Sequence, residues 1–190
     1  GKTAFEANLV LWFLSCFPYP RVVCTAPTRQ QLNDVLWAEI AKWQERSPVL
    51  QAMLVWTKTR VYMRGHEKRW FAVARTATKP ENMQGFHEDN MFFVVDEAKT
   101  VPDEIFDAIE RCTLQFCIYL SSPGKPEGQF YRCFHEEKDL FCPMVVTAFD
   151  CPHISQERID RILARVGGNE DDSYFRSVVL AEFTLEGDLY

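Results

Sequence analysis

The chain has 190 residues, 47% of them hydrophobic, which is enough to build one ordinary domain with a full core. Its formal net charge of -6 excludes a globally basic nucleic-acid-binding protein, so any contact with nucleic acid must be local. The longest apolar run, Leu9 to Leu14, is shorter than the about 20 residues that cross a bilayer and lacks the layout of a signal peptide. Seven cysteines without a CxxC pair favour reduced thiols in a cytosol over a secreted protein.

Predicted helices and strands alternate along the chain. A helix over 3–17 precedes a buried strand over Arg21–Ala26, and Thr28 serves as the N-cap of the next helix. The alternating segments 57–64 and 68–75 predict an antiparallel hairpin. Further strands are predicted at 91–95, 115–122 and 143–148, and further helices at 103–111, 155–166 and 171–182. This order predicts an α/β three-layer fold with a mostly parallel central sheet and an antiparallel hairpin insertion.

The first three residues, Gly1, Lys2 and Thr3, match the end of the phosphate-binding pattern GxxxxGK[ST] and lead directly into a predicted helix. In a P-loop, the glycine lets the backbone approach the phosphates and the lysine reaches the β- and γ-phosphates. The threonine hydroxyl binds Mg²⁺. The tripeptide is weak evidence alone, because the more specific part of the pattern lies upstream of it.

Two acids, Asp96 and Glu97, end the strand that begins at Met91. Ligand sites of parallel α/β sheets lie at the carboxyl ends of strands, where Asp96 would hold Mg²⁺ and Glu97 would orient and polarise the attacking water. Alternatively, the two acids cap the following helix. Together with the Gly-Lys-Thr sequence they favour a P-loop ATPase, and the glutamate is typical of motor ATPases rather than small-molecule kinases or GTPases.

A third signal is the sequence Ser121-Ser122-Pro123-Gly124, which ends the strand after the acid pair. Small hydroxyl side chains at this position suit the sensing of the γ-phosphate, because they form hydrogen bonds without bulk. Alternatively the four residues form only a turn, which their residue types also favour.

These segments, with VVCTAPTRQQ, QGFHEDN and VPDEIFDAI in the same order, resemble the ATPase domain of phage large terminase subunits over nearly the whole chain. The resemblance implies a P-loop NTPase fold of the ASCE or RecA-like class, with its first strand missing, that uses ATP and Mg²⁺. It also implies that Gly1, Lys2 and Thr3 end the Walker A motif and that Asp96 and Glu97 are the Walker B aspartate and catalytic glutamate. Residues Ser121 to Gly124 would form the coupling motif.

The same resemblance implies a domain organisation. Residues 1–182 would be the ATPase domain, truncated inside the Walker A motif, and 183–190 would start the linker to an absent C-terminal nuclease domain. Nuclease activity is therefore not expected here. The implied function is to couple ATP hydrolysis to translocation of double-stranded DNA into the procapsid. The implied partners are a portal protein and a small terminase subunit, and the motor would work as a homo-oligomeric ring in the host cytoplasm without a membrane.

Many terminases carry an arginine before the glycine that precedes the acid-pair strand, and here Gln84 holds that place before Gly85. A glutamine can hydrogen-bond a phosphate but cannot neutralise its charge. The arginine finger is therefore expected elsewhere in the chain or in a lost N-terminal part, or it is absent. Arg75 is the first choice, since it ends the hairpin strand; Arg29 and Arg111 are alternatives, and each could equally be a surface ion-pair partner.

The hairpin carries cations with interleaved aromatic residues. We expect these cations to contact DNA phosphates without reading sequence, unless they only balance nearby acids on a solvated hairpin. The expected DNA-contacting residues are Lys58, Arg60, Arg64, Lys68 and Arg69.

Two other functions stay open at this point. A superfamily-2 helicase-like DNA-dependent ATPase shares the motifs but carries a second RecA-like domain. A non-hydrolysing nucleotide-binding assembly module would not require Glu97.

Overall fold

A computed structural model of the chain describes residues 1–83, 85–112 and 115–185. These residues divide into two compact units, Gly1–Ser121 and Ser122–Tyr190. The first unit contains the sheet and the acid pair, and the second is helical.

Helices and strands alternate through the first unit. Its helices are α1 (Lys2–Cys16), a π-helical segment (Gln31–Trp37) continued by α2 (Ala38–Arg46), α3 (Pro48–Met53) and α4 (Asp103–Glu110). Its strands are β1 (Arg21–Ala26), β2 (Leu54–Trp56), β3 (Arg60–Met63), β4 (Phe71–Thr76), β5 (Met91–Asp96) and β6 (Phe116–Leu120). Short 3-10 turns lie at Pro80–Asn82 and Ala98–Thr100.

The six strands form one sheet in the order β2-β3-β4-β1-β5-β6. The four strands β4, β1, β5 and β6 run parallel, whereas β2-β3 and β3-β4 pair antiparallel. The predicted hairpin is therefore confirmed as β3 and β4, and β4 joins it to the parallel part of the sheet. The carboxyl ends of the four parallel strands consequently lie along one edge of the sheet.

One face of the sheet is covered by α1 and by the π-helical segment that continues into α2. The ring of Phe13 on α1 lies 5.0 Å from the ring of Phe92 on β5, and both side chains are buried. Because side chains alternate along a strand, Val94 and Asp96 face the same side as Phe92. Cys24 of β1 pairs with Val94 and shares that face. The α1 side of β5 thus ends in a carboxylate.

The opposite face packs against α4. The ring centres of Phe106 on α4 and Tyr119 on β6 lie 4.9 Å apart, and those of Phe86 and Phe93 of β5 lie 6.4 Å apart. All six residues of β5 are buried, which explains why its apolar run does not alternate. Helices on both faces of a mostly parallel sheet confirm the predicted three-layer α/β fold.

The second unit contains α5 (Gly128–Arg132), α6 (Gln156–Arg165) and α7 (Ser173–Val178). Its small core contains Ala148, Ile159, Phe175 and Val179. The hydroxyl of Ser155 accepts a hydrogen bond from the backbone of Arg158 and caps α6.

Several predicted elements match closely, and Thr28 Oγ accepts a hydrogen bond of 3.1 Å from Gln31 N, as an N-cap does. The strand predicted at 143–148 is wrong. These residues form no strand. Met144, Val145 and Val146 are exposed and pair with no other strand among the described residues, whereas Ala148 at the end of the run joins the small core of the second unit. The last helix is shorter than predicted, ending at Val178, and Ala181 beyond it has a positive φ of 56°.

Candidate functional site

The acid pair lies where β5 leaves the sheet. Asp96 is the last residue of the strand, is 5% exposed, and accepts a 2.8 Å hydrogen bond at Oδ1 from the backbone of Glu97. Glu97 adopts the left-handed conformation, with φ 49° and ψ 44°. This conformation costs a non-glycine residue about 1–2 kcal/mol. Strain of this kind is concentrated at functional sites, and here it orients the second acid at the strand end.

The carboxylate of Glu97 connects three distant segments of the sequence. Its Oε1 accepts a 3.2 Å bond from Lys2 Nζ at the start of α1, 95 residues away. Its Oε2 accepts a 3.4 Å bond from Ser121 Oγ after β6, 24 residues away. The lysine of the Gly-Lys-Thr sequence, the second acid and the first serine thus form one cluster.

The alternative that the two acids cap a helix does not hold. The side chain of Glu97 forms no capping bond to the 3-10 turn Ala98–Thr100 that follows it. The residue preceding α4 is Pro102, which offers no side-chain cap either. Asp96 bonds only the backbone of its neighbour, Glu97, among the hydrogen bonds found in the described ranges. The acids instead face Lys2 and the interior of the first unit.

The start of α1 supplies further polar groups to the cluster. Gly1 occupies the N-cap position, Lys2 is the first helical residue, and Thr3 is half-buried. The free backbone N–H groups and the dipole at a helix N-terminus favour an anion such as a phosphate. Because Lys2 reaches Glu97, this N-terminus lies at the carboxyl-end edge of the parallel strands.

Sequence reasoning missed Glu6. This residue lies three and four positions after Thr3 and Lys2, so all three share one face of α1. Glu6 is fully buried, and neither of its carboxylate oxygens has a hydrogen-bond donor within the described part of the chain. The signal that could have found it is an acid inside the apolar face of a helix directly after a phosphate-binding sequence.

Glu6 and Asp96 form a pair of buried carboxyl groups. Burial and then the charge of Asp96 raise the pKa of Glu6 to about 8. Burial and then the charge of Glu97 raise the pKa of Asp96 above its ordinary value. When Glu6 carries a proton, its carboxyl group can donate a hydrogen bond and the Asp96 carboxylate can accept one. An ionised Glu6 would lack such a partner.

The oxygen ligands at this edge are of the type that Mg²⁺ prefers. Asp96 offers a carboxylate and Thr3 a hydroxyl, and Mg²⁺ is usually held by one or two carboxylates together with substrate phosphates and water. No group of three His, Cys, Asp or Glu side chains in the described ranges could hold a metal ion by itself. The residues present therefore fit a magnesium ion that arrives with phosphates.

The four residues of the expected coupling motif do not share one environment. Ser121 ends the first unit and bonds Glu97, and its Oγ also accepts a 3.4 Å bond from Lys99 N. Ser122, Pro123 and Gly124 fall in the second unit, where the Gly124 carbonyl accepts a 3.2 Å bond from Thr184 N.

Arg75 lies on β4 at the same edge of the sheet as the acid pair. Arg75 is in register with Thr25 of β1, and Thr25 is in register with Val95 of β5. At a strand spacing of about 4.8 Å, the backbone of Arg75 is therefore about 10 Å from the backbone of Val95. This register places Arg75 on the face opposite to Asp96. Gln84, the other arginine-finger position, lies outside the described residues.

The five hairpin cations do not form one patch. Lys58 and Arg60 lie toward the carboxyl end of β4, whereas Arg64, Lys68 and Arg69 lie at its amino end, on the edge away from the acid pair. Arg60 packs over the ring of Phe71, and Arg64 donates to the carbonyls of Ala52 and Gln51 at the end of α3. Lys68 and Arg69 are exposed, with Arg69 over the ring of Tyr19.

None of the helices in the described ranges has the length and apolar character needed to cross a membrane.

Comparison with known proteins gives consistent results. No protein-family model matches the chain. The chain is 25% identical over 194 aligned positions to the probable terminase large subunit of Enterobacteria phage P7. That alignment covers 94% of this chain and 39% of the relative, so the chain spans well under half the length of that protein.

Solved structures show the same fold. The large terminase of bacteriophage HK97 aligns with a TM-score of 0.70 and 17% identity, covering 96% of this chain and 44% of that one. The ATPase domain of the Thermus phage P74-26 large terminase aligns with a TM-score of 0.66 and 18% identity, covering 97% of this chain and 84% of that one. The large terminase of the thermophilic phage D6E, in complex with ADP, aligns with a TM-score of 0.66 and 13% identity, covering 94% and 44%. The resemblance to phage large terminase ATPase domains is confirmed, and the fold is theirs.

Proposed function

We propose that this chain is the ATP-hydrolysing motor domain of a phage DNA-packaging terminase. The observation that carries the proposal is the convergence of Lys2, Glu97 and Ser121 from three separate segments at the carboxyl-end edge of the sheet. A lysine that binds the phosphates and a residue that orients the attacking water both take part in phosphoryl transfer by P-loop enzymes, and a small hydroxyl can hydrogen-bond a phosphate without bulk. The terminase fold supports the same function.

Each residue at this edge has a role in the proposed reaction. Lys2 leaves Glu97 to bind the β- and γ-phosphates, because its side chain is 40% exposed and its ion pair is correspondingly weak. The released Glu97 carboxylate accepts a proton from the attacking water and orients it. Ser121, bonded to Glu97, senses whether the γ-phosphate is present.

Asp96 and Thr3 are the residues that would hold Mg²⁺, and Gly1 would let the backbone approach the phosphates. When bound, the ion neutralises the charge that develops on the phosphate oxygens. Ser122, Pro123 and Gly124 would transmit the loss of the γ-phosphate. The ADP complex of the D6E terminase supports a nucleotide as the ligand.

The wider assignment follows from the same proposal. Residues 1–182 would be the ATPase domain and 183–190 the start of the linker to a nuclease domain. The substrate polymer would be double-stranded DNA, with a portal protein and a small terminase subunit as partners. The motor would act as a homo-oligomeric ring in the host cytoplasm, with Arg75 or Gln84 reaching the nucleotide. Lys58, Arg60, Arg64, Lys68 and Arg69 would contact the DNA.

The test compares Lys2→Ala with Lys42→Ala in the full-length natural protein. Lys42 is a matched control, since it is an exposed lysine that also pairs with a glutamate, Glu39. Losing a charge-assisted bond to phosphate costs about 1.5–3 kcal/mol, so Lys2→Ala should weaken ATP binding roughly 10- to 100-fold in a calorimetric titration. Equal affinity in the two variants would contradict the proposal.

A further inference from the structure

Tyr19 has a backbone conformation that its sequence context disfavours. It lies between Pro18 and Pro20 in the segment that joins α1 to β1, and its φ is 49°. Left-handed backbone is strained for a residue with a bulky side chain, and a following proline favours extended backbone instead. The side chain of Tyr19 is 42% exposed, so burial in the core does not offset this strain. An outlier of this kind points to a role for the exposed ring.

Hydrogen bonds from two other segments hold this part of the backbone in place. The side chain of Asn90 donates a 2.7 Å bond to the Pro18 carbonyl, and the Asn90 carbonyl accepts a 2.8 Å bond from Arg21 N. The Pro20 carbonyl accepts a 3.2 Å bond from Phe71 N at the start of β4. The strained residue is thus braced on both sides, and its ring is presented from a fixed backbone.

The ring of Tyr19 belongs to a cluster at the turn of the hairpin, which we call the hairpin-end cluster and which consists of Tyr19, His66, Arg69 and Trp70. The ring centre of Tyr19 lies 5.2 Å from that of Trp70 and 5.7 Å from that of His66. The Arg69 guanidinium lies over the Tyr19 ring, 5.1 Å from its centre. Trp70 donates a 2.7 Å hydrogen bond to the carbonyl of Leu14 in the last turn of α1, which anchors the cluster to the core.

The surroundings of the cluster are positively charged. The turn 64–70 carries three cations, Arg64, Lys68 and Arg69, and a single acid, Glu67, although the chain as a whole is acidic. Lys68 and Arg69 are exposed, and none of the ion pairs found in the described ranges involves either of them. A local excess of unpaired cations on an acidic protein favours a polyanion as the partner, and DNA phosphates provide one.

The packing within the cluster indicates which part of DNA it contacts. Proteins that bind single strands stack unpaired bases on free aromatic faces. Here Arg69 lies over Tyr19, and His66 and Trp70 flank the same ring, so the cluster is filled by its own members. A cation–π contact uses none of the N–H donors of an arginine, which stay available for phosphate oxygens. A duplex, which exposes its phosphates and keeps its bases stacked, fits this arrangement.

We propose that the hairpin-end cluster is a preorganised anchor for the phosphate backbone of duplex DNA, in which Tyr19 holds the Arg69 guanidinium in position to bind a phosphate. The inference rests on the proposed function, because that function supplies DNA as the partner. Tyr19 is a positioning residue that acts through Arg69, so less side-chain freedom is lost when Arg69 binds. Tyr19 precedes β1 and Arg69 precedes β4, so the anchor lies at the amino-end edge of the parallel strands, away from the acid pair.

A double-mutant cycle tests the coupling between Tyr19 and Arg69. Tyr19→Leu, Arg69→Ala and the double variant are made in the full-length natural protein, and binding to a fluorescein-labelled blunt duplex is measured by anisotropy. Tyr19→Leu should weaken binding about 2- to 5-fold, the factor that corresponds to an exposed cation–π contact. Tyr19→Phe keeps the ring and should bind as the wild type does. The double variant should bind as Arg69→Ala does, because Tyr19 acts only through Arg69.

Tyr19→Gly separates this role from a purely structural one. Glycine adopts a positive φ without strain, so this variant should unfold at a higher urea concentration than Tyr19→Leu and yet bind the duplex equally weakly. If Tyr19 acted only through stability, the more stable of the two variants would bind better. If Tyr19→Leu does not fold, Tyr19→Gly takes its place in the cycle.

The second unit offers a matched control pair. Arg165 of α6 lies over the ring of Tyr174 at the same distance, 5.1 Å. Tyr174→Leu and Arg165→Ala should each bind the duplex within about 2-fold of wild type, since an exposed charge away from the DNA is screened by salt.

The outcomes are separable from those of the proposed function. Losses that multiply in the double variant, or wild-type affinity in Tyr19→Leu, overturn the role of Tyr19 alone. A larger loss for single-stranded oligothymidylate than for the duplex overturns the backbone anchor in favour of base stacking. Unchanged duplex affinity in all three variants of the cycle also overturns it, and leaves a protein as the partner of this surface. Wild-type protein that binds no duplex overturns the proposed function and this inference with it.

Discussion

At the level of single residues, the site combines a strained backbone with a weak ion pair. Glu97 is held at φ 49° and pairs with Lys2 through side chains that are 28% and 40% exposed. An exposed pair of this kind contributes about 0–1 kcal/mol, so a phosphate can take Lys2 away at little cost. The strain, in contrast, belongs to the backbone and stays when Lys2 leaves. In the proposed reaction, Glu97 is therefore already oriented before the nucleotide binds.

Glu6 makes a second residue-level prediction, about pH. In the folded, metal-free chain Glu6 keeps its proton up to about pH 8, whereas an ordinary glutamate loses it near 4.5. Between these values the folded state binds more protons than the unfolded state, so the free energy of unfolding should fall as pH rises. Glu6→Gln removes the titrating group and should flatten this part of the profile.

Urea denaturation in EDTA at pH 5, 6.5 and 8 measures this dependence for both proteins. The wild type should lose stability relative to Glu6→Gln at each step upward, and the gap should be largest at pH 8. Parallel profiles would show that the Glu6 carboxyl titrates alike in the folded and unfolded chain.

At the level of elements, α1 connects the core to the site. It carries Lys2 and Thr3 at its start, Glu6 one turn on, and Phe13 against β5. One face of α1 is buried against the sheet and α2, while Phe5 and Trp12 on its other face are exposed, so the buried face holds the helix in place. Rigid support of this kind sets the geometry between Lys2 and Glu97.

This support predicts a large loss on truncating Phe13, which is fully buried and whose ring stacks on Phe17 at 4.2 Å. Phe13→Ala should reduce the free energy of unfolding by about 3–5 kcal/mol. Phe5→Ala is the matched control, since Phe5 lies on the same helix and is 51% exposed; its effect should be below about 1 kcal/mol. Urea titrations of the two variants compare them, and similar losses would contradict the packing of α1 described here.

The sequence predicted the elements whose patterns are locally determined. Strands β1 and β5 are continuous apolar runs. A proline follows the first and acids end the second, so the apolar pattern and the flanking residues indicate the same strand limits. The residues Met144, Val145 and Val146 of the run at 143–148 are similarly apolar but exposed, because strand formation depends on a partner that local sequence does not reveal. The motif residues Lys2, Glu97 and Ser121 were found by pattern, whereas Glu6 needed the packing of α1 on β5.

At the level of the whole molecule, three cations of the hairpin lie away from the acid pair. The chain carries a net charge of -6, yet Arg64, Lys68 and Arg69 cluster at the edge of the sheet away from the acid pair. Two arginines of the hairpin already have partners within the chain. Arg60 packs over the ring of Phe71, and Arg64 donates hydrogen bonds to backbone carbonyls. Lys68 and Arg69 are exposed at this end of the hairpin, although Arg69 also packs over the ring of Tyr19, and they are the pair chosen for a test of DNA contact.

Replacing Lys68 and Arg69 together by alanine should weaken duplex binding without regard to sequence. The slope of log affinity against log salt should fall by about 0.9 for each phosphate that the variant no longer neutralises. Replacing Arg158 and Arg161 of α6 by alanine removes the same charge from exposed positions of the second unit and serves as the control. Fluorescence anisotropy over a salt series measures both slopes, and equal slopes would exclude the hairpin as a DNA contact.

The most direct test of the central claim is steady-state ATP hydrolysis by the full-length natural protein carrying Glu97→Gln, with Glu110→Gln, an exposed acid at the end of α4, as control. The amide keeps the shape of Glu97 but cannot accept a proton from water, so turnover should fall about 10²- to 10⁴-fold while nucleotide binding is retained. Glu110→Gln should hydrolyse ATP as the wild type does. Undiminished turnover in Glu97→Gln would show that the cluster of Lys2, Glu97 and Ser121 is structural, and the motor assignment built on it would be wrong.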